Sequence, residues 1–106
     1  VYAIEPDMED CQLVRDNANL FEVTNVEVIC GRAPEAFAAL PSPDSVFLGG
    51  LGREMLGIAQ VAYDRLKPGG RFVASVATLE KASDLAQILR KRAGHVGISM
   101  INIGRG

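Results

Sequence analysis

The sequence predicts an α/β fold, a mostly parallel sheet covered by helices on both faces in three αβα layers. Three observations predict it. Short apolar runs of strand character alternate along the 106 residues with amphipathic runs of helical period. Breakers stand between them, at Pro41-Ser42-Pro43-Asp44 and Lys67-Pro68-Gly69-Gly70. The helical runs are about 10–15 residues long, the length that carries a chain across a sheet to a parallel partner.

Tyr2 to Glu5 is the first strand. Asp7 to about Leu20 is the first helix, with Met8, Cys11, Val14, Ala18 and Phe21 stepping at three and four residues. Asp7 caps it, and Glu9 and Asp10 favour its positive end. Val26 to Cys30 (Val-Glu-Val-Ile-Cys) is the second strand, rich in β-branched residues. Pro34 opens a short helix to Leu40, because proline fits a first helical position. Ser45 to Leu48 is the third strand and runs into Gly49-Gly50.

Arg53 to Leu66 is helical, with Met55, Ile58, Ala59, Ala62 and Leu66 on one face, and Lys67-Pro68-Gly69-Gly70 stops it. Arg71 to Val76 is the fourth strand. Leu79 to Ala93 is a helix that Thr78 caps and Gly94 closes in a left-handed conformation. Its last turn carries Arg90-Lys91-Arg92, which complement the helix dipole. His95 to Ile103 is the fifth strand, with an irregularity at Gly97. His95, the sole histidine, reads as structural.

Composition bounds the partners. With 48% apolar and 23% charged residues the chain has the makings of one packed domain, residues 1–106. A net charge of −2 offers no long-range attraction for nucleic acid or anionic lipid. No apolar run reaches the roughly 18 residues of a membrane span, and no secretory signal is visible. Cys11 and Cys30 lack the spacing of a disulfide framework or a metal site, so both are expected to be small core residues of a reduced, cytoplasmic protein. No metal ligands are predicted.

In parallel sheets ligands lie beyond the carboxyl ends of the strands. That rule selects Glu5, Gly31 to Pro34, Gly49 to Arg53 and Ala77 to Glu80 as one ligand-facing rim. Glu5 carries the clearest chemistry. An acid at the tip of such a strand accepts hydrogen bonds from the two ribose hydroxyls of a nucleotide cofactor, and a carboxylate suits the task because it only accepts. Beside this stand plainer readings. An acid after a strand can be a helix cap, Gly49-Gly50 a tight turn, Arg53 a surface residue at a helix start, and Thr78 a cap alone.

Several segments taken together resemble a known family. They are Ala3-Ile4-Glu5-Pro6-Asp7, Gly31-Arg32-Ala33-Pro34-Glu35, Phe47-Leu48-Gly49-Gly50, Leu66-Lys67-Pro68-Gly69-Gly70 and Val76-Ala77-Thr78-Leu79-Glu80. The chain is similar to the class I S-adenosylmethionine-dependent methyltransferases, and within them to the methyltransferase domain of the decarboxylating precorrin-6Y C5,15-methyltransferases of cobalamin biosynthesis. The Leu-Lys-Pro-Gly-Gly turn speaks for the superfamily; the Gly-x-Ala-Pro-Glu loop with Phe-Leu-Gly-Gly is more selective.

The resemblance implies a Rossmann-like sheet and S-adenosylmethionine as cofactor. Glu5, with Pro6 behind it, would hold the ribose, Gly31, Arg32, Ala33 and Pro34 would line the adenine, and Gly49 would let the backbone pass close to the methyl donor. Gly50, Gly52, Arg53, Thr78 and Glu80 would face a precorrin tetrapyrrole, with Arg53 holding a substrate carboxylate. The reaction would transfer a methyl group and release an acetate carboxyl as carbon dioxide, with the conjugated tetrapyrrole as electron sink. A sulfonium is already an activated donor, so alignment matters more than acid–base groups, and no catalytic residue is assigned. Relatives of this kind are homo-oligomers.

The same resemblance places a further strand, with a glycine-rich loop, ahead of Val1 and between the strands at Tyr2 and Val46. Without it the sheet is expected as two parallel blocks, Tyr2–Glu5 with Val26–Cys30, and Val46, Phe72 and Ile98 onward. These residues alone are then expected to bind S-adenosylmethionine poorly. A last strand is expected beyond Gly106. Three other readings remain: a class I methyltransferase acting on tRNA or protein, a nicotinamide-binding domain, and a degenerate fold kept as an assembly module.

Overall fold

The computed structural model describes residues 1–49, 52–93, 96–101 and 104. They form two compact units, Val1–Ser42 and Pro43–Gly106. In the first unit β1 (Tyr2–Glu5) leads into α1 (Met8–Leu20), β2 (Glu27–Cys30) and a 3-10 helix over Glu35–Ala39. β1 and β2 pair in parallel, from Tyr2 opposite Glu27 to Glu5 opposite Cys30. Val26 falls outside the strand, because the ladder opens with the Glu27 amide donating to the Val1 carbonyl at 2.8 Å.

Asp7 caps α1 as expected, its carboxylate accepting from the Asp10 amide at 3.0 Å. The expected apolar face is buried only at its centre. Cys11 is fully buried, Val14 and Ala18 are half-buried, and Met8 and Phe21 are exposed. Length explains this: thirteen helical residues span about 20 Å, four strand residues about 13 Å, so the helix ends overhang. Beyond Phe21 the helix stops in a Schellman arrangement. The Val23 amide donates to the Ala18 carbonyl and the Glu22 amide to the Asn19 carbonyl, with Glu22 at φ 56°.

The helix expected after Pro34 is a 3-10 turn with Pro34 as its cap rather than its first residue. Its bonds span three residues, Phe37 to Pro34 and Leu40 to Phe37. Pro41 bars its extension by holding Leu40 extended. Cys30 corrects an expectation. It is exposed, because it is the last residue of β2 and lies at the rim.

The second unit comprises β3 (Ser45–Leu48), α2 (Met55–Arg65), β4 (Arg71–Ala74) and α3 (Leu79–Ala93). β3 and β4 pair in parallel, Ser45 opposite Arg71 through Leu48 opposite Ala74. The core is Leu48 with Met55, Ile58, Ala59 and Ala62 of α2 and Leu85, Ala86 and Leu89 of α3. The Tyr63 and Phe72 rings meet edge-on at 5.9 Å, and Arg92 pairs with Asp64 at 2.9 Å.

Two boundaries shift, and one expected element is missing among the described residues. α2 begins at Met55, because Gly52-Arg53-Glu54 form a turn closed by the Met55 amide on the Gly52 carbonyl, and Glu54 makes no side-chain cap. β4 ends at Ala74: the Ser75 amide bonds the Leu48 carbonyl, after which β3 has no more to offer. Over its described residues the expected fifth strand is not formed. Residues 96–101 are irregular, and among the described residues neither β3 nor β4 takes a further partner. The apolar run there offers no second strand to pair with, and Ile98, Met100 and Ile101 stay exposed. Gly94, His95 and residues 102–103 lie outside the described residues.

The Lys67–Gly70 turn is tied to the start of β3. The Lys67 amide donates to the Pro43 carbonyl, the Arg71 amide to the Asp44 carbonyl, and the Lys67 ammonium pairs with Asp44 at 3.2 Å. Gly69 takes φ 79°, and a Cβ on Gly70 would sit 2.7 Å from the Asp44 carbonyl oxygen. The two glycines are therefore required by a left-handed step and a close approach.

Candidate functional site

In the first unit the carboxyl ends of β1 and β2 meet at Glu5 and Gly31. The Gly31 amide donates to the Glu5 carbonyl at 3.0 Å, extending the ladder one step past the strands. The same carbonyl accepts from the Cys11 thiol at 3.2 Å. The Glu5 side chain is half-buried, and its Oε1 accepts from the Asp7 amide at 3.1 Å. A carboxylate offers about four acceptor positions, so most remain for hydroxyl donors. Pro6, exposed, lies between Glu5 and the helix cap.

Around the β2 tip Arg32 is exposed while Gly31, Ala33 and Pro34 are half-buried, with a cis bond between Ala33 and Pro34. The Arg32 carbonyl is taken by the Ala36 amide at 2.9 Å. Glu5, Pro6 and Gly31 to Pro34 are thus brought together at one strand-end rim, as the sequence expected.

Charge at this tip is negative. The Asp7 carboxylate beside Asp10 raises the Asp10 carboxyl above its ordinary value, with desolvation, Glu5 and Glu9 adding. The Cys11 thiol is pushed up to about 11, first by burial and then by the neighbouring Cys30 thiol. The Cys11 contact escaped the sequence reading. Its signal was available: a cysteine on the buried face of α1, six residues after the strand-tip acid.

In the second unit Gly49 directly follows β3, and a Cβ there would lie 3.1 Å from the Phe47 ring. Gly52 and Arg53 occupy the exposed turn before α2. The Thr78 hydroxyl accepts from the Lys81 amide at 3.2 Å, which makes it the cap of α3 as expected, and Glu80 is exposed in the first turn. Gly50 lies outside the described residues. Among the described residues no cluster of His, Cys, Asp and Glu could hold a metal ion, and no helix is long and apolar enough to cross a membrane.

A strand-tip acid and a glycine loop on a parallel pair are shared by several nucleotide-binding families, and comparison separates them. Residues 1–104 match the model of the precorrin methyltransferase domain. The chain belongs to that family. It is 38% identical over 100 residues to a precorrin-6Y C(5,15)-methyltransferase (decarboxylating) of Sinorhizobium sp, covering 94% of this chain and 23% of that protein. It is 35% identical to a probable cobalt-precorrin-6B C(15)-methyltransferase (decarboxylating) of Methanothermobacter thermautotrophicus, across the whole chain and 56% of the relative.

Among solved structures, a precorrin-8w decarboxylase of Methanobacterium thermoautotrophicum superimposes with a TM-score of 0.89 at 34% identity, over 100% of this chain and 57% of the other. The precorrin-6y C5,15-methyltransferase of Geobacter metallireducens gives 0.80 at 32%, over 87% and 49%. The Rossmann-like class I methyltransferase fold is thereby shown. This precorrin methyltransferase domain chain spans about half the length, or less, of the relatives it matches.

Proposed function

We propose that this chain supplies the ribose and adenine contacts, and part of the substrate rim, of an S-adenosylmethionine-dependent methyltransferase. The enzyme methylates a precorrin with loss of carbon dioxide, in cobalamin biosynthesis. One observation carries the reading: Glu5 leaves the tip of a parallel strand with Oε1 accepting from the Asp7 amide and, among the described residues, no other hydrogen bond to its carboxylate. Membership of the precorrin methyltransferase family supports it.

The residues fit the cofactor's nucleoside half. Glu5 would accept from the two ribose hydroxyls. Pro6 sets the angle at which the chain leaves that acid for α1. Backbone groups of Gly31 to Pro34 would face the adenine, and the resemblance implies that the backbone at Gly49 would pass close to the methyl donor. The acids Glu5, Asp7, Glu9 and Asp10 disfavour a phosphorylated ribose, which argues against a nicotinamide dinucleotide phosphate. When bound, the cofactor supplies a sulfonium-activated methyl group. On the substrate side, Arg53 would hold an acetate carboxylate by a forked contact, beside Gly50, Gly52, Thr78 and Glu80. On this reading the enzyme is a cytoplasmic homo-oligomer; the free thiols accord with a reducing compartment.

The test is methyl transfer by the full-length protein from S-adenosylmethionine to precorrin-6Y, followed by mass spectrometry. A methyl gained with one carbon dioxide released is the expected result. No reaction with precorrin, and methylation of tRNA instead, would overturn it. Arg53→Ala is expected to raise the tetrapyrrole KM about tenfold or more, and an unchanged KM removes that role.

A further inference from the structure

One buried side chain beside Glu5 has no part in the function proposed above. Cys11 sits in the second turn of α1, fully shielded from solvent. Its amide donates to the Asp7 carbonyl at 2.9 Å and its thiol to the Glu5 carbonyl at 3.2 Å, while the Asp7 amide donates to Glu5 Oε1 at 3.1 Å. Glu5, Asp7 and Cys11 are thereby joined in a closed ring of hydrogen bonds. The Glu5 carbonyl has two lone pairs, and the Gly31 amide and the Cys11 thiol provide a donor for each.

We propose that Cys11 is a positioning residue for the cofactor-binding acid: its thiol fixes the backbone of Glu5, and so the direction from which that carboxylate meets the ribose. The proposal rests on the reading of Glu5 as the ribose acid. Geometry explains the choice of residue. A serine on a helix commonly turns its hydroxyl back to the carbonyl four residues earlier, here Asp7. The longer thiol reaches past it to the strand. Burial keeps the proton on sulfur throughout the neutral range, so the donor is always present.

The test is a double-mutant cycle in the full-length protein, read as the dissociation constant of S-adenosylhomocysteine by calorimetry. Glu5→Ala is expected to weaken binding about tenfold or more, and Cys11→Ala about threefold with kcat retained. In the Glu5→Ala background Cys11→Ala is expected to add nothing, because the two act through one contact. Cys11→Val, which has no donor yet leaves no cavity, should weaken binding as the alanine variant does, so that the loss follows the donor and not the lost volume. Both Cys11 variants should also shift the carbonyl ¹³C resonance of Glu5.

Two outcomes separate the claims. Loss of affinity in Glu5→Ala with none in either Cys11 variant overturns the positioning role alone, as does an undiminished Cys11 effect in the Glu5→Ala background. Unchanged affinity in Glu5→Ala overturns the ribose reading and the positioning role with it.

Discussion

Cys11 and Cys30 stand at the same end of the first unit and differ in chemistry because one is covered and the other is not. The thiol of Cys11 is neutral when protonated, and burial raises its pKa to about 11 from 9.0. The folded state therefore holds this proton more tightly than the unfolded chain does. Its contribution is fully present below pH 9 and is lost as pH rises through about 11. Between those values the denaturant midpoint should fall more steeply in the parent than in Cys11→Ala. At neutral pH iodoacetamide should modify Cys30 and spare Cys11 until the chain is unfolded, read by peptide mass spectrometry. Sequence alone treated both cysteines as core, although the rule that puts Gly31 on the rim leaves the adjoining Cys30 at the strand's end, where cover is thin. Glu5 was legible because an acid closing an apolar run is unusual chemistry for a strand. The Cys11 contact was legible only by half: helical period puts the cysteine on the buried face of α1, but the carbonyl it meets has no sequence signature.

Among the elements, α1 is held at its end by a residue ill-suited to its conformation. Glu22 adopts φ 56°, where a Cβ is strained and glycine is at ease. Glu22→Gly is expected to stabilise the protein by about 0.5–1 kcal/mol, net of the greater entropy glycine gives the unfolded chain. Gly70 is the reverse case. Gly70→Ala would press a methyl against the Asp44 carbonyl and the Leu66 side chain, at an expected cost of about 1–3 kcal/mol in urea unfolding. The Leu-Lys-Pro-Gly-Gly string was thus readable as a stop, while its bonds to residues 43 and 44 were not. Where caps and period agreed, at β1, α1 and α3, the sequence reading held to within about two residues. It failed at residues 96–101, where β propensity was the only argument and pairing, which makes a strand, is a property of two segments.

At the scale of the whole molecule the charge of −2 weighs against a nucleic-acid substrate for these residues. At about 0.15 M salt the chain should show no retardation of bulk tRNA in a gel shift, since the net charge is negative and the Arg90-Lys91-Arg92 turn alone neutralises few phosphates. The fold class was legible from alternation alone. The family needed several short strings at once, because each by itself serves many nucleotide-binding proteins.

The anchoring of residues 67–71 to residues 43 and 44 has a consequence for how such a protein can change. It levels β3 and β4 at their amino ends, away from Gly49, Arg53 and Thr78. Loops on the opposite side can lengthen or shorten to admit new substrates with the strands still aligned. One residue inserted into the anchor would instead turn Phe72 and Ala74 outward and Val73 in. Variation is free at the mouth and forbidden at the hinge pin.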